Sequence, residues 1–183
     1  MTQSQWRNIP YEQKDVLLAL PVKIGVWISH YDDQGDVKAD NTEMEALTEI
    51  ITYLADDKTS TAFVTNLFQD TLKAKEEWQS WSFNEDIVMD ECRKGMQIIK
   101  NNVSDKDLKA SREALLTVAE IVAQAYGEFG SYDESADEGG WLDSVKNALQ
   151  KLKGHSYIDS DRPFNISPAE QQAINELRSQ LQT

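Results

Sequence analysis

The chain of 183 residues is long enough to bury the core of one domain, and its 40% apolar content favours folding over intrinsic disorder. Its 32 acidic residues outnumber 18 basic residues, and the net charge of −14 opposes binding to nucleic acid or anionic lipid. The single cysteine, Cys92, excludes an internal disulfide and a cysteine-rich zinc site. Because neither a signal-peptide pattern nor a membrane-length apolar run is visible, we expect a cytoplasmic protein without a membrane span.

The first clear element is an apolar helix within the stretch from Val16 to Tyr31. Apolar residues recur there at the spacing of one helix face, namely Ile24, Trp27, Ile28 and Tyr31. Pro21 fits the first turn of such a helix, where its missing N–H group costs nothing. The stretch is shorter than the roughly 20 residues of a membrane span and is predicted to lie in the core.

An acidic turn around Gly35 follows this helix. Nine acidic residues lie between Asp32 and Asp57, and the nearby basic residues are Lys38 and Lys58. Crowded carboxylates repel one another, and a divalent cation with oxygen ligands relieves that repulsion. The turn therefore favours a cation site.

Capping boxes and buried stripes predict the helices that come next. A hydroxyl followed three residues later by a carboxylate marks helix starts at Thr42, Ser135 and Ser167, and Ser104 opens a further helix. The stripes that indicate buried faces are Leu47, Ile50 and Leu54; Phe63, Val64, Leu67, Phe68 and Leu72; Val88, Cys92, Met96 and Ile99; and Leu115, Val118, Ala119 and Val122.

A second acidic turn repeats the first about 95 residues later, and the two copies align without a gap. Ile28–Leu54 aligns with Ala123–Leu149, so each copy runs from an apolar helix through an acidic glycine turn into another helix. The aligned pairs include Tyr31 with Tyr126, Asp33 with Glu128, Gly35 with Gly130, Glu43 with Glu138, and Leu47 with Leu142. The repeat predicts two related helical halves whose acidic turns form a paired site.

The residues of these turns resemble those of the tellurite-resistance TerB-like family. In that pattern an apolar helix leads to an acidic residue and a glycine, and a glutamate opens the next helix. The matching residues are Asp33, Gly35 and Glu43 in the first copy and Glu128, Gly130 and Glu138 in the second. The resemblance covers roughly Val16 to Leu152 and implies an all-α fold of two similar halves. It also implies a cytoplasmic bacterial protein of the tellurite or general stress response, whose acidic surface binds divalent metal, and it does not imply catalysis.

The metal hypothesis names seven carboxylates as ligands: Asp32, Asp33, Asp36, Asp40, Glu43, Glu128 and Glu138. Ca²⁺ is the preferred ion because the site offers oxygen ligands. An EF-hand is disfavoured because Val37 occupies the sixth loop position, where the turn requires glycine. Two alternatives stay open: the same carboxylates fit a solvated cluster that caps helix N-termini, and they fit an interaction module that binds basic protein partners without metal.

Sequence patterns of common enzymes are not found. His30 and His155 lack a glutamate three residues earlier, which excludes a ferritin-like di-iron site. Phosphate-binding loops, nucleophile elbows and zinc-protease motifs do not occur in the sequence. His30, beside Asp32 and Asp33, is a candidate acid or base, although a histidine at a helix end is more often a polar cap. We therefore expect a non-enzymatic protein without catalytic residues.

The predicted architecture is a single all-α, bundle-like domain of seven to eight helices with internal duplication. The duplicated TerB-like domain covers residues 1–153, and residues 154–183 form a polar linker and a last helix, Pro168–Leu181. Ile174 and Leu177 give that helix a narrow apolar stripe, which fits docking on the bundle or on a second subunit. A homodimer is therefore left open.

Overall fold

The computed structural model describes residues 5–31, 41–81, 85–127 and 168–182, and every regular element in these ranges is helical. The α-helices of these ranges are α1 (Tyr11–Ser29), α2 (Asn41–Ala55), α3 (Ala62–Lys73), α4 (Glu85–Asn102), α5 (Asp105–Gly127) and α6 (Pro168–Leu181). Short 3₁₀ helices span Gln5–Asn8 and Lys75–Ser80. The predicted all-α fold is confirmed for these ranges. Within them, no helix has both the length and the apolar character that a membrane crossing requires.

Helix α1 is the central element and contacts each of the other described α-helices. From Leu17 to Ile28, every residue except Leu18 and Lys23 is buried. A helix that is apolar around its whole circumference is stable in water only when other elements enclose it. The remaining helices are therefore arranged around α1, and the prediction that this stretch lies in the core is confirmed.

Pro21 lies in the interior of α1, so the expectation that it occupies the first helical turn is wrong. The helix already begins at Tyr11, directly after Pro10, because the apolar residues before Pro21 are buried with the rest of the helix. A proline inside a helix cannot donate a hydrogen bond to the preceding turn. The buried hydroxyl of Thr71 on α3 donates at 3.1 Å to the carbonyl oxygen of Leu18, which gives this part of α1 a donor from outside the helix.

The predicted apolar stripes of α2 to α5 are buried, with Leu72 only partly so. Helix α2 begins at Asn41, so Thr42 lies within the helix and does not occupy the predicted capping position before it. Ser104 caps α5 as predicted: its hydroxyl oxygen accepts a hydrogen bond from the Asp107 backbone N–H at 3.2 Å. Helix α6 begins at Pro168, immediately after the predicted capping residue. The second acidic turn, the helix start at Ser135 and the linker lie outside the described residues, so the internal duplication stays a prediction.

Side-chain contacts show that α1 and α4 are antiparallel. Lys23, late in α1, forms an ion pair with Glu91 in the first half of α4 at 2.7 Å. Asn102, at the end of α4, donates to the Gln13 side chain near the start of α1 at 3.5 Å.

Helix α5 returns in the direction of α1. The two residues Val103 and Ser104 connect α4 to α5, so the chain reverses there. The Ser104 backbone N–H donates to the Gln5 side-chain oxygen at 2.9 Å, which places the start of α5 beside the segment that precedes α1. Helices α1 and α5 pack against each other. They therefore begin at one end of the bundle and stop at the other.

Helix α6 packs against α4 and α5 and also reaches α1. Its apolar stripe is buried there and consists of Ala173, Ile174, Leu177 and Leu181. Arg178 contacts Glu120 at 3.3 Å, and the Arg112 Nε–H donates to the Leu181 carbonyl at 2.7 Å, so α6 is antiparallel to α5.

Two glycines allow close contact between helices. A Cβ added at Gly25 on α1 would overlap the Leu47 side chain of α2, and one added at Gly95 on α4 would overlap Leu20 of α1. Both leucine side chains are fully buried and have little space into which to move. The absence of a side chain at these positions thus sets the distance of α2 and α4 from α1.

We expect Gly95→Val to lower the free energy of unfolding by roughly 1–3 kcal/mol, because the new side chain must displace Leu20 within a filled core. Lys94→Val is the matched control, since it introduces the same residue at the exposed neighbouring position and should change stability by about 0.5 kcal/mol or less. Urea unfolding monitored by circular dichroism measures both variants. Equal losses would show that α4 does not approach α1 closely.

The segment before α1 is anchored to α3 through Trp6. The Trp6 indole N–H donates to Oδ2 of Asp70 at 2.7 Å, and the ring packs edge-on against Phe63 with centroids 5.6 Å apart. Lys73 donates to the other carboxylate oxygen of Asp70 at 2.7 Å. Partial burial opposes ionisation of Asp70, but the hydrogen bonds from Lys73 and Trp6 and the charges of Lys73 and Lys14 outweigh it and hold the pKa of Asp70 below its usual value.

Asp70→Asn is expected to lower the free energy of unfolding at pH 7 by at most about 1 kcal/mol, because the carboxylate is partly exposed. A carboxyl whose pKa is lowered on folding stabilises the fold above its unfolded-state pKa of about 3.9. That contribution is lost as the pH falls through the folded-state pKa, so the difference between wild type and variant should disappear in acid. Urea unfolding at decreasing pH, with Glu76→Gln as an exposed control, measures the effect. If wild type stays more stable than Asp70→Asn in strong acid, the stabilisation does not come from the ionised carboxylate of Asp70.

Candidate functional site

The predicted ligands fall almost entirely outside the described residues. Asp32, Asp33, Asp36 and Asp40 precede α2, while Glu128 and Glu138 follow α5. Glu43 lies in the first turn of α2, but its side chain is not described. The Ca²⁺ site therefore stays a prediction, and the described helices show only where its two acidic segments leave the bundle.

Among the described helices, α1, α2, α5 and α6 each have one end on the same side of the bundle. Helices α1 and α5 run in the same direction, so Tyr31 after α1 and Gly127 in α5 are the last described residues on that side. Leu54, late in α2, lines a cleft with Ala110 of the first half of α5, so α2 starts where α1 stops. Helix α6, antiparallel to α5, also starts there, at Pro168. We call this side, marked by Tyr31, Asn41, Gly127 and Pro168, the acidic end, because both acidic segments connect to it.

His30 lies at the acidic end, directly after α1. Its Nδ1 is 3.0 Å from the Val26 carbonyl oxygen and 2.9 Å from the Ser29 hydroxyl, which itself donates to Val26 at 2.8 Å. The carbonyls of the last helical turn lack partners within the helix, and these side chains supply them. The contacts match the polar-cap interpretation of His30 and give its Nδ1 a structural role.

The described carboxylates of α2 nearest the acidic end are Glu45 and Glu49, and both are exposed. Trp27 and Tyr31 close the adjacent core with an edge-on ring contact at 5.1 Å between centroids. Among the described residues, no group of three or more aspartate, glutamate, histidine or cysteine side chains is arranged to hold a metal ion. That observation does not extend to the predicted ligands outside these ranges.

A cleft of about 250 Å³ lies near the opposite end of the bundle, between the α2–α3 turn and the first half of α5. Leu54, Ala110 and Ala114 contribute apolar surface, and hydroxyl groups line it at Thr59, Ser60 and Thr61. Its charged lining residues are Asp57, Lys106, Lys109 and Glu113, so the positive and negative charges balance. Asp57 accepts hydrogen bonds within the turn from the backbone and hydroxyl of Thr59, at 2.8 and 2.7 Å. The cleft therefore has no charge preference for a cation or an anion.

No sequence pattern predicts this cleft, because Thr59–Thr61 and Lys106–Ala114 are far apart in the chain and carry no motif. A second feature also escaped prediction: the ion pair of Lys23 with Glu91, whose side chains are 12% and 27% exposed. This pair can be predicted only when the direction of α4 relative to α1 is known. Oε2 of Glu91 has no hydrogen-bond partner among the described residues.

Cys92 follows Glu91 and is fully buried. Burial, together with the negative charge of Glu91, raises the pKa of the Cys92 thiol to about 12, although Lys23 acts in the opposite direction. A thiol must ionise and be reached by a reagent in order to react. Cys92 is therefore a structural residue with an inert side chain.

We expect Cys92 to react with a thiol reagent at pH 8 at least about 100-fold more slowly in the native protein than in denaturant. The Gln97→Cys variant is the control, because position 97 lies on the exposed face of the same helix and its thiol should react at once. Absorbance at the wavelength of the released thiolate follows both reactions. Rapid labelling of native Cys92 would show that the face of α4 that carries Cys92 is not buried against the other helices.

The chain matches no protein-family model, and it shows no significant similarity to a curated protein or to a solved structure.

Proposed function

We propose that the protein is a non-enzymatic stress-response protein of the TerB-like, tellurite-resistance type, which binds a divalent cation at its acidic end. The observation that carries the proposal is the common direction of α1 and α5. The two helices end on the same side of the bundle, and each is followed by one of the acidic segments.

Charge density supports this proposal. The segments Asp32–Glu49 and Glu128–Asp143 carry thirteen of the 32 acidic residues, and Lys38 is the single base within them. Two unit charges at 4 Å repel by about 4 kcal/mol at the effective dielectric constant of a protein surface. Segments of the same sign that start from the same side of the bundle are stabilised by a divalent cation between them, and carboxylate oxygens are the ligands that Ca²⁺ prefers.

The proposed ligands are Asp33 and Glu43 from the first segment and Glu128 and Glu138 from the second. Asp32, Asp36 and Asp40 support them with further negative charge. Helices α2 and α6 start at the acidic end, and an acid at a helix N-terminus gains roughly 0.3–1 kcal/mol from the macrodipole. This gain explains why one acid, such as Glu43, is favourable in the first turn of α2. It does not explain the many acids of the preceding turn.

We expect chelator-stripped protein to bind Ca²⁺ in calorimetry and to be stabilised against thermal unfolding by Ca²⁺ but not by monovalent salt of equal ionic strength. The double variant Asp33→Asn with Glu43→Gln should bind at least about tenfold more weakly, because two charged oxygen ligands are lost. The matched control is Glu12→Gln with Glu76→Gln, which removes two exposed carboxylates elsewhere and should bind like wild type. Titration with Mg²⁺ and Mn²⁺ tests ion preference.

Equal binding by the two double variants would remove Asp33 and Glu43 from the site. If wild type binds no divalent cation but binds basic proteins with an affinity that falls steeply with ionic strength, the protein is an acidic interaction module instead.

A further inference from the structure

Lys23 is the charged residue in the otherwise apolar stretch of α1 from Leu17 to Ile28. Its side chain is 12% exposed, and its ammonium group lies 2.7 Å from Oε1 of Glu91 on α4, whose side chain is 27% exposed. Both charged groups therefore lose most of their hydration on folding. The attraction within a buried pair repays that loss only where further hydrogen bonds satisfy the remaining polar atoms.

The carboxylate of this pair is only partly satisfied. Oε2 of Glu91 is shielded from solvent and has no hydrogen-bond partner among the described residues. A buried oxygen without a partner keeps the full cost of its lost hydration. Apolar side chains of similar size at the two positions would avoid this cost and extend the apolar contact between α1 and α4. A gain in stability therefore does not account for the pair.

The position of α4 around α1 is a separate requirement. Helix α1 is apolar around its circumference, and the other described helices cover it with apolar faces. Apolar contact is non-directional, so it does not by itself decide on which side of α1 a given helix packs. Leu20 fits against Gly95 of α4, but the other sides of α1 carry buried apolar residues as well. Lys23, in contrast, marks a single side of α1.

We propose that the Lys23–Glu91 ion pair selects the side of α1 on which α4 packs, and that it does so at a cost in stability. With another apolar helix face over Lys23, the ammonium group would be buried without a partner, which is strongly unfavourable. A single buried polar residue selects one packing arrangement in coiled coils in the same way. Val103 and Ser104 alone connect α4 to α5, so the pair also restricts the position of α5. The proposal is independent of cation binding.

The cost in stability is tested by urea unfolding of Lys23→Met, Glu91→Leu and the double variant, monitored by circular dichroism at pH 7. Each single change leaves one buried charge without its partner, so both single variants should unfold at lower urea concentration than wild type. The double variant removes both charges and should unfold at the same or a higher urea concentration than wild type. A double variant that is less stable than wild type contradicts the proposed cost.

The selection of one side is tested by NMR and by thiol labelling, which a merely stabilising pair would not affect in this way. Wild type should give one amide resonance for each residue of α4. In the double variant these resonances should be split or broadened, because α4 then has more than one favourable position. Labelling of Cys92 at pH 8 should be about tenfold faster or more in the double variant, since α4 must leave its place to change sides.

Two controls separate the selection of a side from the loss of charge. Lys23→Glu with Glu91→Lys restores the attraction and should restore single resonances and slow labelling of Cys92. Arg93→Gln with Asp90→Asn removes an exposed ion pair of the same helix and should leave stability, resonances and labelling unchanged. If the Lys23→Met, Glu91→Leu double variant keeps single resonances and the wild-type labelling rate, apolar packing alone places α4 and the proposal is wrong.

Discussion

The enclosure of α1 is the constraint on which the rest of the fold depends. Twelve consecutive positions from Leu17 to Ile28 are almost all buried, and each fully buried large apolar side chain contributes roughly 1.5–3 kcal/mol. Helices therefore have to cover α1 on every side, and Gly25 and Gly95 let two of them approach closely. Two polar groups of this stretch have partners on other helices: Lys23 forms an ion pair with Glu91, and the Leu18 carbonyl oxygen accepts a hydrogen bond from Thr71.

The same arrangement determines where the charge lies. Because α4 is antiparallel to α1 and α5 reverses again, α1 and α5 finish together, and the two acidic segments start from one side of the bundle. A different order of helices would have separated those segments by the length of α5. The proposed cation site thus depends on helix directions in the described part of the chain, although its ligands lie outside that part.

Local patterns predicted the helices well because burial repeats every three to four residues along each one. The stripe of Val88, Cys92, Met96 and Ile99 is buried as expected, and Ser104 caps α5. Pro21 was misassigned because a proline signals a helix start only when the preceding residues are not themselves helical. Here Leu17 and Leu20 are buried ahead of it, so the helix continues through the proline.

Features that depend on two distant segments could not be predicted in the same way. The cleft joins the turn at Thr59–Thr61 to α5, and the Lys23–Glu91 pair joins α1 to α4. Neither has a periodic signal, because the contacts arise only after the helices are placed. For the last helix, only part could be predicted. The sequence indicates the apolar stripe of Ile174 and Leu177, but it does not indicate the groove in which the helix lies or the contact with Arg112.

The central position of α1 has a consequence for biosynthesis. Helix α1 is synthesised before α4 and α5, which cover much of it and are complete only about one hundred residues later. At a translation rate of roughly 5–20 residues per second, its apolar circumference stays without these partners for about 5–20 s. The nascent chain therefore exposes an apolar helix during that interval. We expect chaperone binding to matter more for this protein than for a bundle in which each helix packs against the one before it in the chain.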